Sequence, residues 1–116
     1  MMEMIEAYDF GRIVINGVLY TNDVITCGET VKANWWRKDG HLLQVADISH
    51  ALEEFAPQVV IVGTGHDGMM RVPEETKIHF QRKGIELLVK KTRGACDLFN
   101  ELSRTKRALA ALHLTC

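Results

Sequence analysis

The sequence predicts an α/β fold, and three observations carry that reading. Val59-Val60-Ile61-Val62 is an unbroken run of β-formers that empties into Gly63-Thr64-Gly65-His66-Asp67-Gly68, as a buried strand ending in a loop does. A punctuated helical stretch follows, and a second apolar run, Ile85 to Val89, completes a β-α-β unit with an expected right-handed crossover. Near the N-terminus, Ile13-Val14-Ile15 and Val18-Leu19-Tyr20 flank Asn16-Gly17, the strongest short hairpin signal.

In chain order, the hairpin over residues 10–20 is followed by short strands at Val24-Ile25-Thr26 and at Val31 to Trp36. The second alternates Val31, Ala33 and Trp35 against Lys32, Asn34 and Trp36. Asp39-Gly40 marks a turn. Val45, Ile48, Leu52 and Phe55 recur at helical spacing, with Asp47 the expected N-cap and Pro57 beyond the end. A second helix opens at Pro73, carries Glu74 and Glu75 at its positive end, and closes on Lys83-Gly84. The run from Ile85 to Val89 then reads as another buried strand. Thr92 is the expected cap of a third helix, whose Ala95, Leu98, Phe99 and Leu102 share one face. By propensity alone, Ala108-Leu109-Ala110-Ala111-Leu112 would prolong that helix.

A chain of 116 residues, 47% hydrophobic and 25% charged, is sized for one domain spanning 1–116. No apolar run approaches the roughly 20 residues that cross a bilayer. Glu3 and Glu6 are out of place in a presequence. Cys27, Cys96 and Cys116 are odd in number and lack C-x-x-C spacing, which argues against a disulfide framework and for a reducing compartment. A cytoplasmic protein without membrane attachment is expected. The net charge of -1 hides an asymmetry: residues 1–67 hold four Lys/Arg against ten Asp/Glu, and 68–116 hold ten against five. If the fold keeps the halves on different faces, the dipole favours self-association or an anionic partner; otherwise it is a solvated surface.

Trp36-Arg37, Gly40-His41, Gly63-Thr64-Gly65, Val72-Pro73, Thr76, Gly84-Ile85, Thr92, Ala95, Phe99-Asn100, Leu102 and the ending His113-Leu114-Thr115-Cys116 form an ordered set over nearly the whole chain. In that set the sequence resembles the adipogenesis-associated Mth-domain family of uncharacterised proteins, which includes a mitochondrial respiratory complex I assembly factor. The resemblance implies a three-layer α/β fold, with a central mixed sheet, helices and an added N-terminal β-hairpin layer. It also implies a last strand near Arg107 to Leu114, against propensity, and supplies no catalytic residues. Unlike the mitochondrial member, this sequence shows no presequence, so a role in complex I assembly does not transfer.

The carboxyl end of a buried strand is where α/β sheets tend to bind ligands. Gly63-x-Gly65 with Gly68 lacks the third glycine of a dinucleotide fingerprint, and the next helix starts too far on; a phosphate loop would need a following lysine. What remains is a small anion held by the amides of Gly63, Thr64, Gly65, His66, Asp67 and Gly68 together with Arg71, against the plainer reading that the glycines only turn the chain. The ligand reading predicts that Gly65→Val removes binding and spares the fold. His66-Asp67 could be an oriented base, although sequence neighbours seldom face each other. Trp35 and Trp36 should face opposite sides of a strand, one of them free to cover a groove or a partner, unless both pack under the hairpin layer. The five histidines form no H-x-x-x-H pair, and His113-x-x-Cys116 is half of a zinc pattern, so no metal or cofactor is expected and His113 is a structural or groove residue. A thiol at Cys116 beside a carboxylate lacks the usual activation. The basic clusters carry no interleaved aromatics, which argues against nucleic acid.

Two functions follow. The absence of a catalytic set, the charge split and the family resemblance favour a non-enzymatic interaction or assembly module with a protein partner or a second copy. The alternative is a small-molecule or anion-binding protein, possibly an enzyme, built on residues 63–68 with Arg71.

Overall fold

The computed structural model describes residues 4–116; Met1 to Glu3, the start of the acidic segment that argued against a presequence, lie outside the described residues. Three antiparallel strands open the chain: β1 (Ile5–Asp9), β2 (Arg12–Ile15) and β3 (Val18–Tyr20) form one sheet in sequence order. Asn16-Gly17 makes the predicted turn between β2 and β3. Sequence periodicity misses β1 because its register slips between Ile5 and Ala7, which breaks the alternation of buried and exposed residues.

The remaining strands are β4 (Val24–Cys27), β5 (Thr30–Lys32), β6 (Val59–Gly63), β7 (Glu86–Lys90) and β8 (Ala108–Leu112). They form a mixed sheet in the order β5-β4-β8-β6-β7, with β8 antiparallel to β4 and parallel to β6. The helices are α1 (Val45–Phe55), α2 (Glu74–Lys83) and α3 (Thr92–Leu102). Alternation along β6 divides the core: Val59 and Ile61 face α3 and the three-stranded sheet, while Val60 and Val62 face α1 and α2. The result is the three-layer α/β architecture with an N-terminal β layer. Asn100 of α3 ties that layer down, its carboxamide exchanging hydrogen bonds of 3.0 and 2.8 Å with the backbone of Ile5.

Several local expectations change. Residues 108–112 are a strand, as the family resemblance implies and against helix propensity. Every residue of β8 is buried between two neighbours, a tertiary reward larger than the propensity difference of a few tenths of a kcal/mol per residue. The strand expected over Val31 to Trp36 stops at Lys32, because Asn34 turns left-handed at φ 56°. Asp47 is not the N-cap of α1; Gln44 is, and the Asp47 carboxylate reaches back to accept the Gln44 amide at 2.8 Å. Pro73 and Thr92 each shift by one place, Pro73 being the cap of α2 and Thr92 the first residue of α3. The run at Ile85 to Val89 becomes β7, paired with β6 alone and half-exposed at the sheet edge instead of buried. Strand β8, from the basic half, lies between β4 and β6 of the acidic half, so the two halves of the sequence are not separate layers.

Candidate functional site

Strands β6 and β8 are parallel and leave the sheet at the same end. The glycine loop after β6 therefore runs beside the tail after β8, and the two are stitched together. His66 donates its amide to Thr115 O at 2.6 Å and Met69 donates to Cys116 O at 2.9 Å. The Thr64 amide bonds Lys90 O, the Met70 amide bonds Thr64 O, and the Gly65 amide reaches Thr92 Oγ1 at 2.8 Å. Thr92 in turn donates its hydroxyl to His113 O at 2.5 Å. From the other side, Tyr8 Oη and the Gly11 amide both donate to Leu114 O. The tail is thus held between the loop and the N-terminal layer.

Gly65 is required by this packing. Its φ is 110°, and a Cβ there would lie 2.5 Å from the backbone carbon of Cys116. Gly65→Val would therefore disturb the tail, contrary to the expectation that it spares the fold. Gly63 is also crowded, its missing Cβ falling 2.8 Å from Leu112 and 2.9 Å from Thr92 Oγ1. Thr64 and Gly65 are buried, whereas His66, Asp67 and Arg71 are exposed and Gly68 is intermediate. The His66 ring lies edge-on to Phe10 at 5.7 Å and 6.4 Å from Tyr8, turned to the N-terminal layer. The backbone of Arg71 is bonded to His41 and Leu43, beyond the loop. Most of the amides that would cradle an anion are engaged within the chain.

A second constellation lies beside the tail. Val24 pairs with Leu112, so Asp23, one residue before β4, stands opposite His113, one residue after β8. The Asp23 carboxylate accepts the Leu114 amide at 2.8 Å and lies 2.8 Å from both His113 Nδ1 and Arg37 Nη2. Arg37 also donates to Gly40 O at 2.8 Å, and Trp35 covers its guanidinium at 4.5 Å. Arg37 Nη2 spends its two hydrogens on Asp23 and Gly40 O, so a proton on His113 Nδ1 directed at Asp23 makes their 2.8 Å contact a hydrogen bond. Burial pushes the Asp23 carboxyl up, but hydrogen bonds from His113, the Leu114 amide and Arg37 outweigh it and hold the group below its ordinary 3.8. Arg37 Nε and Nη1 and His113 Nε2 are buried without hydrogen-bond partners among the described residues. The exposed His41 ring sits edge-on to His113 at 5.7 Å. His113, a groove candidate by sequence, is therefore buried beneath the surface.

Above this cluster opens a cleft of about 450 Å³, bordered by Asn22, Asp23, Asn34, Trp35, Trp36 and Leu114. The left-handed Asn34 breaks the strand alternation and sends the two tryptophans to different environments. Trp35 is half-buried, with its indole N–H on Asp47 O at 3.0 Å, while Trp36 is 79% exposed at the cleft. Asn22 and Asn34 join their side-chain amides at 2.9 Å on the cleft wall. Sequence reading finds Trp36 but misses Asp23 and Asn22, since a single acid or amide in a loop looks like any surface residue. The one available signal is the ordered set of family motifs that contains Arg37 and His113.

The thiols of Cys27 and Cys96 sit elsewhere, in the interior. Burial raises Cys27 and, aided by Asp97, pushes Cys96 up to about 12, which suits packing and not nucleophilic chemistry. Among the described residues no three His, Cys, Asp or Glu side chains converge as metal ligands would, and no helix is long and apolar enough to cross a membrane.

A family model described as a protein of unknown function, DUF498/DUF598, matches residues 5–113. No curated protein matches the sequence. Among solved structures, the chain is similar to a protein from Bartonella henselae described as an outer membrane protein, at 25% identity and TM-score 0.82, covering 98% of this chain and 96% of that one. It is similar to a conserved hypothetical protein from Pyrococcus horikoshii at 27% identity and TM-score 0.73, covering 97% and 98%. The fold is shared with a Mth938-like domain from Bordetella pertussis, at 21% identity and TM-score 0.67, covering 97% and 85%.

Proposed function

This chain belongs to the DUF498/DUF598 family of proteins of unknown function, and from that premise we propose that it is a binding module that grips a short segment of a partner protein in the cleft beside Trp36. One observation carries the reading: Trp36 is 79% exposed at the mouth of a cleft of about 450 Å³. An indole left in water gains a large apolar area on docking, and tryptophans at the centre of a contact commonly dominate its energy. The paired amides of Asn22 and Asn34 supply donors and acceptors for a peptide backbone. Asp23, Arg37 and His113 fix the cleft floor, so little ordering cost falls on binding. An assembly role, such as one member of the family the sequence resembles has, and a cytoplasmic location belong to the same proposal. The location is supported by the free Cys27, Cys96 and Cys116.

The test is selection of short peptides on the immobilised protein, followed by titration of the enriched sequences against Trp fluorescence. Binding that shares a motif, perturbs Trp36 and disappears in Trp36→Ala supports the module. A selection without enrichment, together with a thermal shift on phosphate or small carboxylates that survives in Trp36→Ala, favours the small-anion alternative.

A further inference from the structure

Strand β7 has the composition of a buried strand and the position of an edge. Its core, Leu87-Leu88-Val89, is apolar, Val89 is 40% exposed, and its charges stand only at the ends, Glu86 and Lys90. Edge strands are usually protected by a charge in the middle or by a bulge, and β7 pairs with β6 over five residues in unbroken register. The hydrogen bonds fix which of its backbone groups are free. The Glu86 amide donates to Gln58 O and Lys90 O accepts the Thr64 amide, so the even-numbered residues bond to β6. Leu87 and Val89 point their N–H and C=O groups outward.

We propose that two copies of this chain associate by antiparallel pairing of their β7 strands about a twofold axis at Leu88, joining the two sheets into one. The parity of the free groups selects this register: Leu87 and Val89 of one copy exchange backbone hydrogen bonds with Val89 and Leu87 of the other. The same register sets Glu86 opposite Lys90 of the second copy, twice, at the non-hydrogen-bonded positions where cross-strand side chains come closest. The charges at the two ends of the strand are thus complementary to a copy of itself. On the α2 side, a shallow groove of about 360 Å³ is continuous with the pairing edge; Phe80, Ile85, Leu87 and Val89 give it an apolar part and Lys77, Gln81 and Glu86 a polar one, and the second copy docks along it. This edge is separate from the Trp36 cleft, so the two proposals stand or fall independently.

Sedimentation of the full chain over a wide concentration range tests it, using exposed charges whose exchange costs the fold at most the surface pair of Glu86 with Lys106 at 3.6 Å. Wild type is expected to dimerise. Glu86→Lys and Lys90→Glu, each placing like charges opposite one another twice, are expected to weaken dimerisation by about tenfold or more. The double variant Glu86→Lys/Lys90→Glu restores it, and an equimolar mixture of the two single variants forms a heterodimer. Thermal unfolding of each variant confirms that a monomer is folded. A wild-type chain that stays monomeric at the highest concentration, single variants that dimerise like wild type, or a double variant or mixture that fails to associate overturns the proposal.

Discussion

His113 Nδ1 lies 2.8 Å from Asp23 Oδ2, across 90 residues of sequence, because the β4–β8 register sets these two residues opposite each other just beyond the ends of their strands. Arg37 Nη2 reaches the same carboxylate oxygen at 2.8 Å, so one acid neutralises a buried guanidinium and orients a buried imidazole. Packing and polar satisfaction are inseparable here, and the tail after β8 hangs on both.

Asp23→Ala is expected to be among the most destabilising single substitutions of a polar residue. It leaves the buried Arg37 without its counter-ion, and the Leu114 amide without an acceptor. Removing one member of a buried ion pair typically costs about 3–5 kcal/mol. Urea unfolding of the two proteins measures it; a loss under about 1 kcal/mol would show that water replaces the carboxylate easily.

The same acid gives stability a pH dependence of known sign. The folded chain holds the Asp23 carboxyl below its ordinary value of 3.8, so on acidification the unfolded chain takes up the proton first. The contribution is full above the unfolded value and fades as pH falls through the folded one. The stability difference between wild type and Asp23→Asn should therefore be large near neutral pH and shrink as acidification carries the pH below the ordinary 3.8. Equal differences above and below that value would mean that the carboxyl is not held low.

Thr92 bridges the glycine loop and the tail with one hydroxyl, accepting from the Gly65 amide and donating to His113 O. Thr92→Val keeps the shape and strands both partners in the interior, at an expected cost of about 3 kcal/mol. Thr92→Ser retains the hydroxyl and should recover most of that loss. If the serine variant unfolds as easily as the valine variant, the methyl group and not the bridge is what Thr92 contributes.

How much of this was legible depends on how local each cause is. The Asn16-Gly17 turn, the apolar run at Val59 to Val62 and the Gly84 stop of α2 are written in neighbouring residues, and periodicity finds them. Strand β8 is not, because Ala-Leu-Ala-Ala-Leu suits a helix until two strands flank it, and the family resemblance was needed to place it. The glycine loop was legible as a location, but its occupant, the chain's own Thr115 and Cys116, is invisible from spacing. Asp23 carries no local signal, because its partners lie 14 and 90 residues away.

Gly65 and Gly84 separate two reasons for glycine. Both have positive φ, 110° and 69°, but a Cβ at Gly84 meets nothing within 4 Å, while one at Gly65 lies 2.5 Å from the Cys116 backbone. Gly84→Ala should cost only the left-handed penalty of about 1–2 kcal/mol. Gly65→Ala adds displacement of the tail, which releases the His66 and Met69 amides from Thr115 O and Cys116 O. Amide hydrogen exchange reads this directly: at matched global stability, His66 and Met69 should exchange much faster in Gly65→Ala than in Gly84→Ala. The same exchange rates in both variants would mean that the loop holds its conformation without the tail, and its amides would again be candidates for an external anion.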